Sequence, residues 1–279
     1  MAYKTVTTCI THPERTRDTL AAAAALAERH GAHLSVLCLG IDRTHPGAYY
    51  AGAQAIVLQS NMEAAQGEAL EIEEAVAAQL AGATIPWDTQ ALTTQIGALA
   101  PVVGERAMLS DLVVLPKPYR DDAGLEDEAI LEAALFQTRV PVLVLPEGLT
   151  DWTPRRRALI AWNSSPEALA AVRGALEFLA GAEEVDIAVI DPPRHSADRS
   201  DPGEALAAVL ARHGAHASVS VLPRSTYRIS DTIDRHAADF GADLVVMGAY
   251  GHSRLREAIL GGATRNMLEL ATRPVLMAH

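Results

Sequence analysis

The two halves of this 279-residue chain repeat one pattern of strand, turn and helix signals. A repeat at half-length restricts the fold to two copies of a single supersecondary plan. Thr5-Val-Thr-Thr-Cys-Ile-Thr-His-Pro13-Glu14 aligns with Ala158-Leu-Ile-Ala-Trp-Asn-Ser-Ser-Pro166-Glu167, Asp111-Leu-Val-Val-Leu with Asp243-Leu-Val-Val-Met, and Pro141-Val-Leu-Val-Leu with Pro274-Val-Leu-Met-Ala. Each half opens on a strand and continues with a helix at about 17–30 or 166–180 and a strand at 33–39 or 185–190. After a further helix come a strand near 87–93 or 216–222, a helix near 97–108 or 229–240, a strand at 111–115 or 243–247, another helix and a last strand. Short β-branched runs without alternation are strands covered on both faces. Alternating with helices, they predict an α/β fold of two tandem doubly wound parallel-sheet domains with right-handed crossovers. Pro146-Glu-Gly-Leu-Thr-Asp-Trp-Thr-Pro154 is rich in turn residues and lacks periodicity, which sets the expected domains at 1–147 and 154–279.

Composition limits the partners. With 49% hydrophobic and 21% charged residues the chain has ample core, and a net charge of −12 argues against general affinity for nucleic acid or an anionic membrane. No apolar run has the length of a membrane span and the N-terminus lacks a signal-peptide layout, so a cytoplasmic protein is expected. Cys9 and Cys38 sit in apolar strand runs and read as buried free thiols.

The segment Asp243 to Thr264 carries the chemistry. An apolar strand, Leu244 to Met247, ends at Gly248, with Gly251 three residues on and Gly261-Gly262-Ala263-Thr264 opening a second helical pattern. Glycines leave no Cβ between backbone and ligand, and the unpaired N–H groups of a helix start attract an anion, so the layout reads as a phosphate cradle. Turns and close packing are the competing use of each glycine. The spacing is not a P-loop, whose lysine holds the outer phosphates, because the only lysines are Lys4 and Lys117. Nor is it a dinucleotide fingerprint, since the glycines follow a late strand. The sequence has no Gly-x-Ser-x-Gly elbow, HExxH or zinc-like Cys/His spacing, so no catalytic residue and no metal ligand is assigned.

In this spacing, Gly248-x2-Gly251-x9-Gly261, the chain resembles the universal stress protein family, with a departure at Gly262 where the family most often has serine or threonine. The resemblance implies a Rossmann-like, adenine nucleotide alpha hydrolase-like fold with strand order 3-2-1-4-5. Its ligand would lie at the switch point between strands 1 and 4. The cofactor-binding set it implies is Ala161, Asn163, Val189, Met247, Gly248, Gly251, His252, Gly261, Gly262, Ala263 and Thr264. Asn163 stands where the family has a ribose-holding aspartate, and it also suits a turn or helix N-cap. Val189, with Ile190, would read adenine through main-chain atoms only, and Thr264 would keep a hydroxyl that Gly262 lacks. The implied cofactor is ATP or AMP, with or without Mg2+.

The first half lacks the cradle. Its matching positions are Ile10, Pro116 and Tyr119, and Asp121-Asp122, Glu126-Asp-Glu128 and Glu132 add negative charge, so no nucleotide is expected there. The family dimerises through its fifth strands. A tandem chain would make that pairing internally between Val142–Leu145 and Val275–Met277, an intramolecular pseudo-dimer open to further homodimerisation. Three functions stay open: a stress-response regulator or sensor binding nucleotide non-catalytically and acting on a protein partner, a slow ATP hydrolase, and a nucleotide-free interaction scaffold.

Overall fold

Strand and helix alternate through both halves of the computed structural model, which describes residues 3–44, 54–152, 157–192, 203–224, 226–249 and 262–279. The first half runs β1 (Thr5–Ile10), α1 (Pro13–His30), β2 (His33–Asp42), α2 (Gln54–Leu80), β3 (Trp87–Gln95), α3 (Leu99–Ala107), β4 (Leu112–Pro116), α4 (Leu125–Thr138) and β5 (Val142–Leu145). The second runs β6 (Arg157–Trp162), α5 (Pro166–Gly174), α6 (Leu176–Gly181), β7 (Glu184–Ile190), α7 (Glu204–Arg212) and β8 (Ala217–Leu222). It continues with α8 (Ile229–Phe240), β9 (Leu244–Gly248), α9 (Gly262–Leu270) and β10 (Val275–Ala278). Proline opens both α1 and α5, where its missing N–H costs no helical bond. Gly241 ends α8 at φ 72, the left-handed cap that turns the chain directly into β9.

The helix expected over 166–180 is broken at Ala175. A Cβ on Gly174 would lie 2.7 Å from the Pro141 side chain, so the end of α5 closes on that proline at a distance only glycine permits.

Contacts divide the chain into two compact groups, Tyr3–Val140 with Glu147–Trp152, and Pro141–Pro146 with Thr153–His279. In the first group β3, β2, β1 and β4 lie side by side and parallel. In the second the order is β8-β7-β6-β9-β10-β5, parallel except for the last pair. Each half therefore follows the order 3-2-1-4-5. β5 is antiparallel to β10, with Val144 opposite Val275 and Leu143 opposite Leu276, so the two fifth strands pair as the resemblance implies. The central strands are buried along their length, which accounts for their unalternating apolar sequence. No described helix is long and apolar enough to cross a membrane.

Cys9 and Cys38 are free and buried on the paired strands β1 and β2. Burial pushes both thiols up to about 12, leaving almost no thiolate at neutral pH. A thiol reagent should therefore label neither cysteine in the native protein and both in denaturant. Labelling at the rate of an exposed thiol would contradict their placement.

Candidate functional site

The switch point of the second half is built by β6, which has β7 on one side and β9 on the other. Ala161 lies opposite both Ala188 and Met247, and Met247 and Val189 are buried. Past Trp162 the chain must turn sharply into α5. Asn163 is exposed, and its Oδ1 accepts the Ser165 N–H at 3.1 Å. Ser165 in turn caps α5, its Oγ accepting the Ala168 N–H at 3.1 Å. Between them Ser164 is held at φ 59, and at the end of neighbouring β7 Asp191 is held at φ 46. Left-handed conformations cost non-glycine residues roughly 1–3 kcal/mol and gather at ligand sites. Among the described residues the only other non-glycine case is Arg139, which ends α4.

At the end of β9, Gly248 has an identifiable reason to be glycine. An added Cβ would come within 2.5 Å of the Ala168 nitrogen and 2.8 Å of the Glu167 carbonyl carbon. The first turn of α5 thus presses onto the strand end, and close approach rather than a positive φ fixes the residue, since Gly248 is absent from the positive-φ glycines. Ala249 follows, fully buried, donating its N–H to the Ala278 oxygen at 2.9 Å and bonded through its carbonyl to His279 Nδ1 at 3.0 Å. Gly251, His252 and Gly261 lie outside the described residues.

Gly262 and Ala263 begin α9 and are exposed. A Cβ at Gly262 would meet nothing nearer than Asn266 Nδ2 at 4.0 Å. Thr264, two residues after Gly262 and about 200° around the helix, is buried, in contrast to the exposed helix start.

The equivalent end of the first half is closed by charge. Arg43, just past β2, donates to Glu126 Oε1 from Nε at 3.0 Å and from Nη2 at 2.9 Å, and to Glu68 Oε1 from Nη1 at 3.1 Å. His12 Nε2 lies 3.3 Å from Glu126 Oε1 and 3.2 Å from Arg43 Nη2. A protonated Nε2 donates to the carboxylate, and a bare one accepts from the guanidinium. Glu126 is only 3% exposed, in the first turn of α4. Burial works to raise its pKa, but Arg43, the Glu126 backbone N–H and His12 outweigh burial and hold it below the usual carboxylate range. The loop standing in place of the glycine loop is fixed by Arg120, which bonds the Lys117 oxygen and Asp122 at 3.0 Å each and Asp127 at 3.5 Å.

Sequence reasoning placed Asn163 and Ser164 at this strand end but did not anticipate the left-handed backbone at Ser164 and Asp191. Asn-Ser-Ser-Pro is a legible cap-and-start signal for α5, whereas Asp191, ahead of Pro192, reads as extended.

Residues 154–279 match the sequence model of the universal stress protein family. The chain is 31% identical over 158 residues to the universal stress protein Slr1230 of Synechocystis, a match covering 53% of this chain and 50% of that protein. A second match, 36% identical over 47 residues, is to the universal stress protein MJ0577 of Methanocaldococcus jannaschii, covering 17% of this chain and 29% of that one. The chain thus spans half or less of the curated relatives it matches. A universal stress protein from Archaeoglobus fulgidus superposes with TM-score 0.72 over 100% of this chain and 96% of its own, a likeness of fold at 15% identity. The likeness of fold extends through both halves, whereas the match to the universal stress protein family's sequence model is carried by the second half, from residue 154.

Proposed function

We propose that the second half binds an adenine nucleotide, ATP or AMP, with or without Mg2+, without turning it over, and that occupancy lets this stress protein signal to a protein partner. The observation that carries the reading is the pair of strained strand ends, Ser164 at φ 59 and Asp191 at φ 46, on adjacent strands beside the switch point. Main-chain atoms of Val189 and Ile190 would read the base. Asn163 would offer the ribose hydroxyls the free lone pair of Oδ1, whose other lone pair accepts the Ser165 N–H, together with its amide NH2. The phosphates would lie toward the backbone after Gly248 and the exposed N–H groups at Gly262 and Ala263, completed by Gly251, His252 and Gly261.

The test is to denature the purified protein, identify released small molecules, then supply ATP with magnesium and follow product. Adenine nucleotide released at one per chain, with no turnover, is the expected result. Steady product would make the protein a hydrolase. Failure to bind at millimolar ATP would make it the scaffold that a neutral Asn163 and a hydroxyl-free Gly262 favour.

Gly262→Ser should tighten the nucleotide. The space there is open, so the added hydroxyl meets no obstacle and gains about tenfold in affinity for a charged phosphate, with stability changed by less than about 0.5 kcal/mol. Calorimetric titration of both proteins checks this, and unchanged or weaker binding would place the phosphate elsewhere.

A further inference from the structure

We propose that the first half retains an anion site occupied by its own Glu126 carboxylate, and that inorganic phosphate or a phosphate monoester can enter once that carboxylate is removed. Sequence reading treats the acidic residues of this half as a repelling field. The geometry gives Glu126 a more specific part.

The groups around this carboxylate are those an anion site needs. A guanidinium presents two N–H groups to one oxygen, at 3.0 and 2.9 Å, an imidazole nitrogen stands 3.3 Å away, and the backbone N–H in the first turn of α4 completes the set. They come from three elements, His12 after β1, Arg43 after β2 and the start of α4, at the carboxyl ends of the strands where ligands bind in such sheets. Gly124 makes room: a Cβ there would lie 2.4 Å from the Glu126 carboxyl carbon, so the carboxylate is folded back against bare backbone. Beside it lies a cavity of about 440 Å³ lined by His12, Arg15, Arg43, Ile96, Gly124 and Glu126 among others, spacious enough for a phosphate group. Glu68, also bound to Arg43, is less buried and leaves the guanidinium face toward Glu126 in place.

The half is thus closed by a tethered anion and does not depend on the second half binding anything. The experiment is thermal denaturation of the full chain as wild type, Glu126→Ala and Glu126→Ala/Arg43→Ala, in phosphate, formate or chloride at one ionic strength. Amide NMR of His12, Gly124 and Asp127 locates the binding, which keeps the outcome separate from any phosphate bound in the second half.

Glu126→Ala should gain about 4 °C in phosphate over chloride, a smaller amount in formate, and show saturable shifts at those amides. Wild type and the double variant should do neither. Saturable shifts at these amides in wild type, or none in a folded Glu126→Ala, would overturn the proposal. So would failure of Glu126→Ala to fold in saturating phosphate or formate, because the carboxylate would then be irreplaceable packing rather than a replaceable anion.

Discussion

Arg43→Ala should destabilise the first compact group by about 3 kcal/mol at neutral pH. The loss arises from the stranded partner: Glu126 is 3% exposed, and without the guanidinium it keeps only its own backbone N–H and His12. The pH dependence identifies the cause. In wild type the Glu126 pKa is lowered from 4.5, so the stability it contributes is present above 4.5 and lost as pH falls through the still lower folded value. In Arg43→Ala the same carboxylate is buried without its cation, and its pKa moves up. The gap between the proteins should therefore be full at neutral pH, shrink through the acidic range, and close once both forms are protonated. Glu132, raised by burial, responds in the opposite sense in both proteins and cancels in the difference, whereas Asp127, raised by burial and also by Glu126, stays coupled to that carboxylate. Urea titrations at neutral and acidic pH measure this. A gap that stayed constant with pH would show Arg43 acting through packing alone, and Arg43→Lys should fall between, keeping charge but losing the fork.

Gly248→Ala should cost the second half about 3 kcal/mol, and with it the proposed nucleotide binding. One methyl group at that strand end would stand 2.5 Å from the Ala168 nitrogen and 3.0 Å from its Cα, both backbone atoms of a capped helix turn. The turn can move aside only by breaking the Ser165 cap and the Asn163 bond that shape the switch-point corner. The comparison is Gly262→Ala, where the space is open and stability should hold to within about 0.5 kcal/mol. Equal urea midpoints for Gly248→Ala and wild type would sink the close-approach argument.

The elements were legible wherever periodicity and punctuation agreed. Helix α8 spans Ile229–Phe240 as its pattern predicts, because apolar spacing ends at a glycine that must cap it. Strand β2 continues to Asp42, beyond the expected 39, since its last residues pair with β3 and pairing leaves no mark on a single strand's sequence. The Asn-Ser-Ser-Pro corner announced the start of α5 but not the left-handed Ser164, which the surrounding fold imposes. Least legible was the Arg43–Glu126 clamp. Its partners are separated by 83 positions, and only tertiary structure turns an acidic helix start into a neutralised, buried carboxylate.

The pairing of β5 with β10 bears on how the chain can be divided. A fragment beginning at Thr153 retains the whole family match, yet it discards Val142–Leu145 and bares one side of β10. Unsatisfied N–H and C=O groups along a flat run of Val275, Leu276 and Met277 recruit whatever strand is nearest, and in a solution of identical fragments that strand is another β10. The excised half should therefore self-associate, and restoring Pro141–Pro146 as a separate peptide should return it to monomers.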